Sequence, residues 1–171
     1  FKFPANSNSS FDGGADRVYR VTLTNGPWVR HAWPAGVREG LDSKVKLVGW
    51  NLKNDKVNVV NPKGKVLILP TDAANSPLRL PIASHDQRVE QEPNDANATA
   101  NLIRCPATVT ARISRSGDVD RYAVEVKKGE RYRFDIDSFK DGFLLDAQLA
   151  LEDSNGKELS VNDDSNKKRD P

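Results

Sequence analysis

Glu90-Gln91-Glu92-Pro93-Asn94-Asp95 and Gly117-Asp118-Val119-Asp120 place five carboxylates and an amide oxygen in two short loops. Groups of this kind bind hard cations: calcium takes about six to eight oxygens from carboxylates, amides and backbone carbonyls. A proline-stiffened acidic loop facing an Asp-x-Asp turn supplies most of such a shell, although the two segments lack the ordered register of a continuous calcium-binding loop. Acidic residues in turns also cap backbone amides or stay solvated, which requires no metal. Both readings stay open on the residues alone.

Other chemistry is sparse. His31 and His85 are the only histidines, no serine lies in a Gly-x-Ser-x-Gly setting, and no His-x-x-x-His or Cys-x-x-Cys spacing occurs. Glu90 with Glu92 could be drawn as an acid and base pair of the glycosidase kind, but only the residue types support it. The sequence therefore predicts a protein that is not an enzyme. Cys105 is the single cysteine, so it forms no intrachain disulfide, and it is expected to be a small buried apolar residue. Trp28, Trp33 and Trp50 are expected in a core or between modules; the alternative is an exposed platform that stacks on sugar rings.

The elements that position these residues are strands. No long window spaces apolar residues by three and four, whereas several alternate strictly. Tyr132, Phe134 and Ile136 alternate with Arg131, Arg133, Asp135 and Asp137, and Tyr122, Val124 and Val126 do so one segment earlier. With Lys127-Lys128-Gly129-Glu130 as the turn, they predict a hairpin. A second hairpin is predicted from Ala147, Leu149 and Leu151 through Asp153-Ser154-Asn155-Gly156 to Glu158–Val161. Val45 to Gly49, Val57 to Val59 and Val66 to Leu69 give three strands in the first half, and residues 17–24 give one more. Residues 96–101 are expected to make a short helical connector capped by Asp95. The sequence thus predicts an all-β chain of two small β-sandwich modules.

Ser84-His85-Asp86-Gln87-Arg88 is polar and patternless, and reads as the junction. The expected organisation is a loop and strand over 1–25, an immunoglobulin-like sandwich over 26–85 and a second sandwich over 86–171. The 171 residues suffice for two small cores. Net charge divides along the same line, with 12 Lys and Arg against 6 Asp and Glu before residue 86, and 14 against 18 from there on. The basic residues are dispersed and no nucleic-acid motif accompanies them, so no nucleic-acid partner is expected. No apolar run approaches the ~20 residues of a membrane helix. Methionine is absent even at position 1, which suggests a segment of a longer precursor.

Residues 90–164 resemble the bacterial pre-peptidase C-terminal domain, a secreted jelly-roll-type sandwich found beside proteases. The resemblance is carried by Glu92-Pro93-Asn94-Asp95, Gly117-Asp118-Val119-Asp120-Arg121-Tyr122, Lys128-Gly129-Glu130, Leu145-Asp146, Asn155-Gly156 and Asn162-Asp163-Asp164, in that order. In relatives such as the collagen-binding domains of clostridial collagenases, the acidic linker and the Asp-bearing turn bind calcium. The resemblance therefore implies calcium held by Glu90, Glu92, Asn94, Asp95, Asp118 and Asp120, with Asp163 and Asp164 as weaker candidates.

Less specifically, residues 26–70 resemble the immunoglobulin-like TIG-type modules of exported planctomycete-type proteins. Gly26-Pro27-Trp28-Val29, Trp33-Pro34, Gly36, Gly40 and 45–52 carry that likeness. Residues 17–24 look like the closing strand of a preceding copy, able to add to an open sheet edge within one molecule or between two.

The function these features imply is a non-catalytic accessory, adhesion or assembly segment of a larger secreted, extracellular or periplasmic protein, with calcium ordering the linker. The alternatives are a carbohydrate- or matrix-binding module and a pro-segment or accessory domain of a secreted hydrolase. Expected partners are other domains of the precursor and an extracellular polysaccharide or protein matrix.

Overall fold

A computed structural model describes residues 15, 18–69, 77–138 and 143–163. The fold is all-β, built from several small sheets. In the first half, β1 (Trp28–Trp33), β3 (Ser43–Trp50) and β4 (Lys56–Val59) form an antiparallel sheet in the order β1-β3-β4. Facing it, β2 (Val37–Arg38), β6 (Leu78–Ala83) and β5 (Val66–Leu69) form a second sheet in the order β2-β6-β5. Strand alternation creates the space between them. Val45 and Leu47 of β3 point inward while Lys44 and Lys46 face water, and Leu80 and Ile82 of β6 do the same between Arg79 and Pro81.

These side chains join Val29, Ala32, Val37, Val59 and Leu69 in one core. Burial of each Val, Leu or Ile is worth about 1.5–3 kcal/mol, so this sandwich is held by ordinary apolar packing. The three strands expected from 45–49, 57–59 and 66–69 are all present.

The second half is built differently. β7 (Asp86–Val89) pairs parallel with β9 (Ala107–Thr110), and β8 (Asn101–Ile103) pairs parallel with β10 (Tyr122–Val124). The hairpin of β11 (Leu149–Glu152) and β12 (Glu158–Asn162) forms as expected. Its turn is held by Asp153, whose carboxylate accepts from the amides of Asn155 and Lys157 at 2.8 and 3.0 Å. Among the described residues from 86 onward, Ala147 is the one fully buried apolar side chain, whereas Asn94, Thr110, Asp118 and Ser138 are buried and polar. Polar burial of this kind costs free energy unless each group finds a partner.

Several expectations are corrected. Residues 84–88 are not a patternless linker: a bend at Ser84-His85 leads directly from β6 into β7, whose pairing with β9 needs no alternating side chains. The hairpin expected from Tyr122–Val126 and Arg131–Asp137 does not form. The turn at Lys127–Glu130 closes, with the Glu130 amide donating to Lys127 O at 3.2 Å, but β10 pairs with β8 instead and 131–137 joins no strand among the described residues. A long-range partner outcompetes the local one.

Residues 18–24 are unpaired and exposed rather than a strand, and Arg17 lies outside the described residues. The connector is a single 3-10 turn, Asn97–Thr99, entered at Ala96; Asp95 directs its carboxylate elsewhere. Cys105 is exposed.

The halves touch along one face. The Ala35 amide donates to Thr110 Oγ1 at 3.0 Å, Arg112 stacks over the Trp33 ring at 5.9 Å, and Phe143 meets His31 edge-on at 5.5 Å.

Candidate metal centre

The acidic loop is positioned by the strands on either side of it. Glu90 leaves β7 with its amide donating to Thr110 O at 3.0 Å. The Asn101 side chain then clasps the next residue, accepting from the Gln91 amide at 2.7 Å and donating to Gln91 O at 2.8 Å. Beyond a cis Glu92-Pro93 bond, the Asn94 amide donates to Glu92 Oε2 at 3.0 Å, and Asn94 O accepts from the Arg121 amide at 3.1 Å. The opposing turn is held by Gly117, at φ +80° where a side chain is strained, and by Asp118, whose carboxylate accepts from the Ser114 amide at 2.5 Å.

The two segments meet as carboxylates. Glu90, Glu92 and Asp120 each present a ligand oxygen within 4.8 Å of the others, as do Glu92, Asp95 and Asp118. Glu92 belongs to both groups. Asn94 is fully buried between them in sequence, and neither its side-chain oxygen nor its nitrogen has a hydrogen-bond partner. Asp163 is exposed and belongs to neither group, while Asp164 lies outside the described residues.

Charge compensation is uneven across the cluster. Arg115 serves the Asp95 side, at 2.8 Å from Asp95 and 3.8 Å from Asp118. The Ser114 amide and this guanidinium hold the Asp118 carboxyl below its ordinary value, so it stays ionised. The Glu90, Glu92 and Asp120 group has no such salt bridge among those described. Burial pushes the Asp120 carboxyl up to about 6, and the charges of Glu90, Asp118 and Glu92 add to it. Burial likewise raises Glu90. Glu90 Oε2, Asp118 Oδ1 and Asp120 Oδ1 are buried without hydrogen-bond partners.

Sequence reasoning missed three contributors. Arg115 neutralises one side. Arg121 ties the site to the last hairpin by donating to Asp95 O at 3.1 Å and pairing with Glu152 at 2.7 Å. Tyr122, expected only as a core aromatic, buries its hydroxyl without a partner; burial and then the charges of Asp120, Glu90 and Glu92 raise its pKa. The Arg and Tyr directly following the Asp-x-Asp turn were the available signal.

The other candidate groups lie apart from this cluster. The His85 ring nitrogen Nε2 sits 2.7 Å from Thr108 Oγ1, and burial lowers the pKa of His31, favouring its neutral form. Trp28 and Trp33 are half-buried, whereas Trp50, directly opposite Trp28 across β1 and β3, is 57% exposed.

The donor set fits a hard divalent cation: it consists of carboxylate oxygens, several of them buried and without donors to satisfy them. Comparison of the chain with models of known protein families, with curated protein sequences and with solved structures finds no match.

Proposed function

We propose that this chain is a non-catalytic accessory segment of a larger exported protein, acting in attachment or assembly, in which calcium orders the joint between two β-sandwich modules. One observation carries the metal reading. Glu90, Asp118 and Asp120 each bury an oxygen without a hydrogen-bond partner, and all three belong to carboxylate groups joined through Glu92. Glu90, Glu92 and Asp120 would hold the ion, because Arg115 already compensates Asp95 and Asp118. When bound, calcium supplies positive charge to a side where only Arg112 offsets part of the charge at Glu90. Glu90 follows β7, two residues of bend away from the first sandwich, and Asp120 immediately precedes Arg121 and β10. Joining them fixes the exit of β7 to the entry of β10 and so orders the segment with which the second half begins. The ordered likeness to the pre-peptidase C-terminal domain supports the exported setting, with neighbouring domains of the precursor as partners.

Calorimetric titration of chelator-treated protein tests this. Extracellular calcium modules bind at ~10⁻⁴ to 10⁻³ M, and that range is expected here. Glu92→Ala removes the carboxylate common to both groups and is expected to weaken binding by about tenfold or more, equivalent to at least ~1.4 kcal/mol. Absence of any binding signal for the unaltered chain up to about ten times that range would sink the proposal.

A second reading, attachment to a glycan, rests on Trp50, which leaves an indole exposed beside Trp28 with Asn51 next to it. Under that reading an insoluble β-glucan depletes the protein from solution and Trp50→Ala abolishes the depletion. An unchanged supernatant removes it.

A further inference from the structure

We infer that copies of this chain associate head to tail, residues 18–24 of one copy adding as a strand to the free edge of β12 in the next. The donor is an arm. Val18-Tyr19-Arg20-Val21-Thr22-Leu23-Thr24 joins no strand among the described residues, Thr24 Oγ1 accepting only from the nearby Gly26 amide, and Val18, Tyr19, Val21 and Leu23 are 85, 89, 65 and 91% exposed. Tyr19, Val21 and Leu23 alternate with Arg20, Thr22 and Thr24, the period of a strand with one apolar face. At its far end the chain is anchored, with Asn51 Nδ2 donating to Asn25 O at 3.1 Å. Seven residues beyond that anchor span roughly 20 Å when extended, enough to run the full length of a neighbouring strand.

The acceptor has complementary features. β12 is paired only with β11, in a two-stranded sheet, so its other backbone edge is free among the described residues. Every residue of β12 is exposed, with Leu159 at 59% and Val161 at 49%, and Leu151 of β11 is exposed as well. An open apolar edge of this kind is a template for strand addition.

Charge selects among the edges. Besides Glu152, which Arg121 already pairs, the β11–β12 hairpin carries Asp153 and Glu158 against Lys157, an acidic balance that suits Arg20. The edge strand β5 also exposes Val66 and Ile68, but Lys63 and Lys65 lie beside it, and β4 begins at Lys56. Like charges disfavour the arm there. The same logic works at long range: the arm belongs to the basic half and the hairpin to the acidic half, so head-to-tail contact sets opposite charges together. Among the described residues of one molecule neither the arm nor the outer edge of β12 joins a further strand, and a second copy supplies the partner for each. A heterologous contact of this type leaves an arm free at one end and an edge at the other, so assemblies grow until they close.

Sedimentation velocity over a concentration series at low salt tests the inference with two variants. Val21→Pro in the exposed arm removes a ladder donor, and Val161→Lys puts a charge on the exposed edge; neither touches a buried residue. The unaltered chain is expected to associate with rising concentration and to dissociate with added salt. Each variant alone is expected to associate at least about tenfold more weakly. Mixed in equal amounts, they are expected to form a one-to-one complex that grows no further, because only one working arm and one working edge remain. A chain that stays monomeric throughout, variants that associate like the unaltered chain, or a mixture that fails to pair would each overturn it.

Discussion

At pH 7.5, calcium at about a hundred times its dissociation constant is expected to stabilise the protein by ~2.7 kcal/mol, raising the thermal midpoint by about 5–10 °C for a chain of this length. The gain is expected to shrink at pH 5. Asp120 is pushed up to about 6 from an ordinary value of 3.8, so between those values the folded chain holds a proton that the unfolded chain has released. A raised carboxyl contributes stability that is complete below its unfolded value and lost as pH rises through its folded one. Glu90 is shifted in the same direction. Without divalent cations, stability should therefore fall between about pH 4 and 7.

Asp118 is lowered and has the opposite slope, its contribution being lost only as pH drops below the ordinary carboxylate range. Calcium takes the place of the proton on the raised groups, so its benefit grows across the window in which they ionise, and binding near pH 6 releases protons. Melting curves with calcium and with chelator at the two pH values check this. An equal gain at both would exclude the Glu90, Glu92 and Asp120 group as the site.

The second large effect is a reversal of sign between two aspartates that lie two residues apart. Asp120→Asn removes a charge that its surroundings oppose. It is expected to stabilise the cation-free protein at pH 7.5 by about 1 kcal/mol, after allowance for solvent screening, and to abolish the calcium gain. Asp118→Asn removes a charge that its surroundings demand. The Ser114 amide and Arg115 favour the carboxylate, and an amide in its place forfeits the ion pair while leaving Arg115 facing Asp95 alone. That variant is expected to be less stable with and without calcium. Chemical denaturation of both, in each condition, reads the signs directly; destabilisation by Asp120→Asn in chelator would mean that the local repulsion is already relieved by some other group.

Much of the first sandwich was legible along the chain. Val45 and Leu47, Val57 and Val59, and Val66 to Leu69 alternate or run apolar between turn residues, and each became a strand: Val45, Leu47, Val59 and Leu69 lie in the core, Val57 and Leu67 pack against it, and Val66 and Ile68 face outward. The β11–β12 hairpin was legible for the same reason: Asp153 and Gly156 encode its turn locally. The parallel pairs were not. β7 and β9 carry Asp86, Gln87, Arg88 and Thr108, and what makes them strands is a backbone partner about twenty residues away. The segment 131–137 has the cleanest alternation of all and yet joins no strand ladder among the described residues, because β8 takes the place beside β10.

By itself the sequence determined an all-β chain, its stepwise change from basic to acidic, and which oxygen-bearing residues stand beside Pro93 and Val119. These follow from residue type and short-range spacing. Only the tertiary structure decided which carboxylates share a site, since that depends on the Asn101 clasp, the Arg121 amide and the Asp118 cap bringing distant loops together. It also decided their roles. Arg115 pairs with Asp95 and Asp118, whereas Glu90, Glu92 and Asp120 form no salt bridge among the described residues and only Arg112 offsets part of the charge at Glu90, and the free energy of a charge depends on the burial and the counter-charges around it, which no spacing along the chain encodes.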